Sequence, residues 1–278
     1  MKAKINLLKV RNFERNMNVT VEFLKQNYLN ILKSILIFIP FMLIPTYFLY
    51  NFQGNLLDIA TSAFEFDFVN YILGLTTMYI ISQMAFIFIT AYMVVYSQSA
   101  DGKVDISIVW EKTKDSALPL IGGFFIYMIA IVLGSILLII PGIIIAIHWS
   151  FFTYVYIAEG KSVFGSFSRS SQLVKNNWWK IFGFCIVAIL VGSIISSTLS
   201  LPFSLTTVLV PIVNGNTDII TNSTFLAFTT FFSSVAGLVS MPISAVAVGV
   251  MYYSRITDVD KIDIEHQIEL LGTIDDQE

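Results

Sequence analysis

The sequence predicts an all-α fold: a polytopic transmembrane helix bundle of six spans, arranged as three hairpins, each preceded by a cytoplasmic interfacial amphipathic helix. Three observations predict it. Of the 278 residues, 56% are hydrophobic and only 13% charged, where a soluble domain carries about a quarter charged residues. The charge is absent from long blocks, with no Lys, Arg, Asp or Glu in 34–57, 68–100, 116–158, 181–217 or 219–254. A helix needs roughly 20 apolar residues to cross the hydrocarbon, so each block holds a span and 116–158, at 43 residues, holds two. The third observation is the placement of the sixteen Lys and Arg residues, which fall on one side of a six-span chain.

In chain order, residues 1–33 form a cytoplasmic amphipathic N-terminal segment. Phe13, Met17, Val21, Leu24, Tyr28 and Ile31 recur at three- and four-residue steps, the signature of one apolar helical face. No short apolar stretch with a small-residue cleavage site leads the chain, so the first span is expected to act as its own uncleaved signal. The six-span membrane domain occupies 34–254, with spans at 34–50, 69–96, 118–140, 142–158, 181–201 and 225–253. Pro40 and Pro45 predict kinks in the first span, and Pro242 one in the last. Pro141-Gly142 is the expected hairpin point between the third and fourth spans, because proline ends a hydrogen-bond ladder and glycine permits a tight turn. A single bent or re-entrant helix is the rival for 118–158; length favours two crossings. Interfacial helices are expected at 105–115, with Ile106, Val109, Trp110 and Thr113 on one face, and at 162–175. In the latter Val163, Phe164, Phe167 and Val174 oppose Ser166, Arg169, Ser170 and Gln172, and such a helix lies with its apolar side in the acyl boundary. Residues 255–278 form an acidic cytoplasmic tail, with an apolar stripe of Ile264, Ile268 and Leu271.

Orientation follows from the positive-inside rule. Seven of the cations lie at or before span one, three between spans two and three, four between spans four and five, and two after span six. Six spans put all four segments on one side. The opposite loops carry only Asp58, Glu65, Asp67 and Asp218. Both termini are therefore expected in the cytoplasm.

The segment from Phe23 to Leu32 aligns without gaps over Leu173 to Phe182, with Lys25 over Lys175, Asn27 over Asn177 and Ile31 over Ile181. A looser copy begins at Lys114. Lys, Asn and aromatic residues favour the headgroup zone, so the motif marks where a helix turns from lying flat to crossing. Duplication is preferred to convergent interface chemistry as its origin.

Chemistry-bearing residues are few. Cys185 is the single cysteine, so no intrachain disulfide or cysteine metal site is available. His148 is the one ionisable group inside a span, without an intramembrane Asp, Glu, Lys or Arg to relay a proton; a neutral imidazole bonded to a neighbouring hydroxyl is preferred. Glu159 is expected to pair with Arg169 or Lys175 and dock the third interfacial helix. Trp178 and Trp179 read as interface anchors. Lys25, Asn27, Phe164, Phe167, Arg169, Lys175, Asn177, Trp178 and Trp179 are the candidate interface or partner residues. Ser193, Ser197, Ser200 and Ser204 share a helical face, and Ser240, Ser244, Ala245 and Gly249 follow a small-xxx-small pattern; helix packing is preferred to a polar conduit.

The ordered run Pro141-Gly142-Ile143, Trp149-Ser150-Phe151, Ile157-Ala158-Glu159-Gly160, Ser166 to Val174 and Trp178-Trp179-Lys180 resembles the bacterial glycerophosphoryl diester phosphodiesterase membrane-domain family. Phe23 to Tyr28 and the tail from Tyr252 to Gly272 resemble it too. The resemblance implies a six-span module of the bacterial cytoplasmic (inner) membrane that is not itself catalytic. In fused members, hydrolysis belongs to a separate soluble barrel with paired histidines and a carboxylate-bound metal, whereas this chain has two histidines in all, His148 and His266. No catalytic residue, cofactor or metal is therefore expected, and no nucleic-acid partner. Membrane lipids, and after them other membrane proteins, are the expected partners. A transporter or lipid-translocating protein with a groove between spans five and six is the alternative.

Overall fold

The computed structural model describes residues 3–58, 68–214 and 223–261. Glu65, Asp67 and Asp218 of the expected outer loops, and the tail stripe Ile264, Ile268 and Leu271, lie outside the described residues. Those described form helices without strands: α1 (Phe13–Ile35), α2 (Leu43–Asp58), α3 (Phe68–Gln98), α4 (Ile106–Leu137), α5 (Ile139–His148), α6 (Phe152–Glu159), α7 (Val163–Val174), α8 (Trp178–Asn214) and α9 (Ser223–Val259). Five stretches are long and apolar enough to cross a bilayer: Phe68–Gln98, Ile106–Leu137, Ile139–Glu159, Trp178–Thr206 and Ala227–Val259. The pair Phe13–Phe38 and Pro40–Tyr50, bent by 44° at its break, is the sixth candidate. The fold is thus an all-α polytopic bundle. It comprises two compact units, one from the described parts of Met1–Ile31, Ile87–Ile189 and Ile243–Glu278, the other from those of Leu32–Phe86 and Leu190–Pro242.

The N-terminal helix packs through a face other than its apolar one. Its buried residues are Asn16, Thr20, Phe23, Asn27, Ile31 and Ile35, while Phe13 and Val21 are exposed. The inward stripe is half polar, and its polar groups are used locally or across the unit, save the Asn16 Oδ1, which has no donor. Thr20 donates to the Asn16 carbonyl at 2.8 Å, and Asn27 accepts from the Tyr92 hydroxyl at 3.0 Å. In hydrocarbon the apolar side gains nothing by turning inward, so polar groups take the interior and apolar ones face lipid. Helix α1 ends in two 3-10 turns, Leu36–Phe38 and Pro40–Met42. Pro40 opens the second and Pro45 sits in the first turn of α2, where a missing N–H disturbs no ladder.

The second interfacial helix, expected at 105–115, is not separate from its span. Helix α4 runs unbroken from Ile106 to Leu137 through Pro119, started by Asp105, whose carboxylate accepts from the Ser107 amide at 2.9 Å. Bonds from the Ser107 hydroxyl and amide hold the Asp105 carboxyl below its ordinary range. One buried stripe, Val109, Thr113, Ser116, Leu120 and Gly123, passes straight across the expected boundary. A turn there would break it.

The hairpin point is also displaced. The chain reverses at Leu138, the one extended residue between α4 and α5, with φ −163° and ψ 144°, and Pro141-Gly142 belongs to the first turns of α5. A Cβ on Gly134 would lie 3.1 Å from the Gly142 Cα, and one on Gly142 would lie 2.1 Å from the Ser135 Oγ. Close glycine contact therefore sets the turn, and Pro141 fits the start of a helix. The tip is apolar and exposed, with Ile136, Leu137, Leu138, Ile139 and Ile140 each about two-thirds or more accessible. The 20 residues from Leu118 to Leu137 rise about 30 Å, the thickness of the hydrocarbon.

The fourth span is broken at Trp149–Phe151, between α5 and α6. The Ser170 hydroxyl on α7 mends the break: it donates to the His148 carbonyl at 2.7 Å and accepts from the Phe151 amide at 3.1 Å. This corrects the expected faces of α7. Ser166, Phe167, Ser170, Leu173 and Val174 are buried and Phe164 is 72% exposed. The serines belong to the packed side because their hydroxyls bond backbone there. Ser170→Ala is expected to leave the buried Phe151 amide unpaired and to destabilise the protein by about 1–3 kcal/mol, read as a lower detergent-solubilised melting temperature. An unchanged melt would mean that water replaces the hydroxyl.

Candidate functional site

Helix α6 ends at Glu159, closed by Gly160 at φ +65°. Helix α7 starts at Val163, with the Ser162 side chain capping the Gly165 amide. This tight connection brings Arg169 over Glu159. The Arg169 Nε donates to Glu159 at 3.2 Å, and its Nη2 donates to both Asp260 carboxylate oxygens at 2.6 and 2.7 Å. The Tyr252 hydroxyl donates to the other Glu159 oxygen at 3.1 Å, and Lys161 stands 3.7 Å away. Burial works against the Arg169 charge, but its bonds to Asp260 and the nearby Glu159 carboxylate hold the guanidinium above its ordinary value. The expected Glu159–Arg169 pair is thus present; Asp260 and Tyr252 were not foreseen as its partners.

A second arginine, Arg255, is buried. Its Nε donates to the Leu173 carbonyl at 3.0 Å, at the C-terminus of α7, and Nη1 pairs with Asp258. Turned so that its oxygen faces the guanidinium, the Asn177 carboxamide accepts from Nη1 and Nη2 at 3.0 and 3.2 Å. A cation at a helix C-terminus is favoured by the helix dipole. Between the helices Asn176 takes φ +67°, a left-handed conformation that asparagine tolerates better than most residues. The aligned first copy has Gln26 there and continues as α1. The two copies share side-chain placement, with Phe23 over Leu173 and Ile31 over Ile181 all buried and Lys25 and Lys175 exposed, but not backbone path.

The remaining candidates separate. Phe167 is buried, its ring 4.4 Å from Trp149 and 4.8 Å from Phe152. Trp178 stacks on Phe182 at 4.9 Å, while Trp179 is 77% exposed. His148 contacts the Ile144 carbonyl at 2.8 Å through Nδ1, a carbonyl where a hydroxyl was expected. Ser193, Ser197 and Ser204 are exposed and Ser200 is half-buried; the Ser200 and Ser204 hydroxyls donate to carbonyls of their own helix at 3.1 Å. Within the second unit, the Phe203 ring on α8 stacks on Phe232 of α9 at 4.1 Å. The other small-residue set does pack. A Cβ on Gly249 would lie 2.5 Å from the Met93 Sδ and 2.6 Å from the Tyr154 Oη, and that hydroxyl donates to the Ala245 carbonyl at 2.7 Å.

Sequence reasoning missed Ser170, Tyr154, Arg255 and Asp260. Arg255 and Asp260 were visible only as charges closing a span; the position of Arg255 one turn from Asp258 was the available signal. Among the described residues, no three His, Cys, Asp or Glu side chains converge as a metal would require.

Helices of this length and apolarity, tied at one charged end by paired arginines, define a polytopic α-helical integral membrane protein. Residues 106–257, more than half the chain, match a domain of unknown function, DUF7847, and the chain belongs to that family. No curated protein and no solved structure matches it.

Proposed function

We propose that the protein is a non-catalytic module of the bacterial cytoplasmic membrane that organises lipids and, through them, partner proteins. The observation that carries this is the outward aromatic pair at the charged end: Phe164 on α7 is 72% exposed and Trp179 on α8 is 77% exposed. Aromatic side chains beside lysines favour the headgroup zone. The acidic groups nearby support a structural role, since Glu159, Asp258 and Asp260 each pair with an arginine. A general acid or base would need such a group held for a substrate. In this reading both termini lie in the cytoplasm. All Lys and Arg except Lys33 belong to the stretches of the first unit, which supports a single cationic, inward-facing side. The reading also makes the chain kin to the membrane domain of the glycerophosphoryl diester phosphodiesterases, without their barrel. The stacked Phe203 and Phe232 and the back-bonded serines favour it over a conduit between spans five and six.

The test is purification from native membranes with bound lipid retained, followed by lipid mass spectrometry and a glycerophosphodiester hydrolysis assay. The expected result is a lipid set enriched over the bulk membrane and no turnover. Hydrolysis that tracks the pure protein and disappears on adding chelator would overturn the proposal.

A further inference from the structure

Five consecutive aliphatic residues, Ile136 to Ile140, form the tip of the α4–α5 hairpin in the first unit, each between 68% and 78% exposed. The chemistry of this tip is not that of a turn in water. Helix α4 starts on the Asp105 carboxylate and α7 on the Ser162 hydroxyl, each accepting from an amide of the first turn. Helix α5 starts on Leu138, which makes no side-chain bond to it. Helix starts in water favour Ser, Thr, Asp or Asn, because their oxygens satisfy first-turn amides. The sequences expected to connect the other hairpins differ too. The one after span one carries Asp58, Glu65 and Asp67, and the one after span five carries Asp218. From Met128 to Ile147 there is no Lys, Arg, Asp, Glu, Asn, Gln, Trp or Tyr, so the tip also lacks the anchors that hold a turn among headgroups.

The reach of the tip is set from the charged end. Lys112, Lys114 and Asp115 keep the start of the outgoing limb out of the hydrocarbon, and Glu159, paired with Arg169, closes the returning one. Charge is costly to bury in lipid. From Ser116 to Leu137 the outgoing limb rises about 33 Å, and the returning limb, Ile139–Glu159, has 21 residues. The hydrocarbon is about 30 Å thick and a span tilts by about 20° on average, which brings a limb of about 33 Å to about 31 Å. A tip at that distance lies at the far edge of the acyl layer. The backbone suits this depth. Leu138 is the one non-helical residue between the limbs, and its amide donates to the Gly134 carbonyl at 3.2 Å. Pro141, in the first turn of α5, has no N–H to satisfy. Few backbone groups are left calling for water, as a hydrocarbon setting requires.

We propose that the α4–α5 tip does not emerge into water: it is an interaction surface for lipid, and its partner is the acyl chains of the leaflet opposite the charged end, into which Ile136 to Ile140 insert. The hairpin is then a wedge that stops beneath the headgroups of that leaflet. The inference rests on membrane residence and not on retention of any particular lipid. Hydrolysis by the pure protein, or the lack of an enriched lipid set, would sink the lipid-organising function and leave the depth of the tip unaffected.

The test uses the full chain carrying Cys185→Ala in dioleoyl phosphatidylcholine vesicles. Nitroxide labels are placed on Leu138→Cys and Ile140→Cys, with Ser107→Cys and Ser168→Cys, both exposed at the charged end, as references. At 138 and 140, collision with oxygen, which partitions into acyl chains, should exceed collision with a water-soluble nickel chelate severalfold. At 107 and 168 the order should reverse. Nickel collision at the tip as frequent as at 107 would place the tip in water and overturn the proposal. Low collision with both reagents at the tip would mean that protein covers it, a second copy or a partner helix, and would overturn it equally. A tip label that lowers the melting temperature is replaced by one at Ile136, 75% exposed, where the same outcomes decide.

Discussion

Replacing Gly249 with leucine is expected to prevent the protein from accumulating as a folded species. Gly249 lies on α9 against Met93 and Tyr154, both wholly buried. Even an alanine Cβ would stand 2.5 Å from the Met93 Sδ, 2.6 Å from the Tyr154 Oη and 2.7 Å from its Cζ, distances that real Cβ atoms do not reach. The methionine has rotamers to yield with. The tyrosine does not, because its hydroxyl is anchored on the Ala245 carbonyl at 2.7 Å and its ring packs 5.4 Å from Tyr252. Overpacking of this kind is destabilising by about 1–3 kcal/mol per site, which sets the expectation for Gly249→Ala; leucine should exceed it. The measurement is detergent-solubilised yield by size exclusion and melting by intrinsic fluorescence. Gly122→Ala is the control: nothing lies within 4 Å of its Cβ position, and helix propensity alone should raise stability by up to about 1 kcal/mol. Normal yield and melting of Gly249→Leu would mean that α9 sits farther from α3 and α6 than the structure places it.

The contrast between these glycines shows where sequence was informative. Charge-free blocks read correctly because span length and desolvation of charge are strong constraints. Small residues at Ala245 and Gly249 pointed to close packing, and the Glu159–Arg169 pair was foreseeable from two opposite charges flanking a short turn. Helix faces read poorly. Periodicity marks an apolar stripe, and in water that stripe turns inward. In this chain Asn16, Thr20, Asn27, Ser166 and Ser170 turn inward instead. The inner polar residues find partners on the backbone and on distant helices, which periodicity does not encode. Breaks read poorly for a related reason. Pro141 was a natural stop, yet it lies inside α5. The actual reversal at Leu138 depends on contact between Gly134 and Gly142 across the hairpin.

Arg169→Gln is expected to release α7 from the charged end and lower stability by about 2 kcal/mol or more. Breaking a well-buried ion pair is destabilising by about 3–5 kcal/mol, because the surviving charge remains desolvated. Arg169 and Glu159 each keep 16% of their side-chain surface in contact with solvent, and Asp260 keeps 36%, so the smaller figure applies. Acidification is a poor substitute for mutation, since the guanidinium stays charged at any accessible pH. Arg169→Lys should rescue little. One ammonium cannot reproduce the separate Nε contact to Glu159 and the two-oxygen contact of Nη2 with Asp260, a use of the planar fork that lysine lacks. Glu159→Gln tests the same junction from the other side. It keeps an acceptor for the Tyr252 hydroxyl and removes the charge facing Arg169, so its effect should be smaller than that of Arg169→Gln. In the double variant the two losses should be less than additive, because the residues share one network. Melting of the four proteins in one detergent gives the coupling directly, and limited proteolysis at the 160–162 turn reports whether α7 has come loose. Strict additivity, with that turn as protected as in the parent, would show that Arg169 and Glu159 do not hold α7 in place.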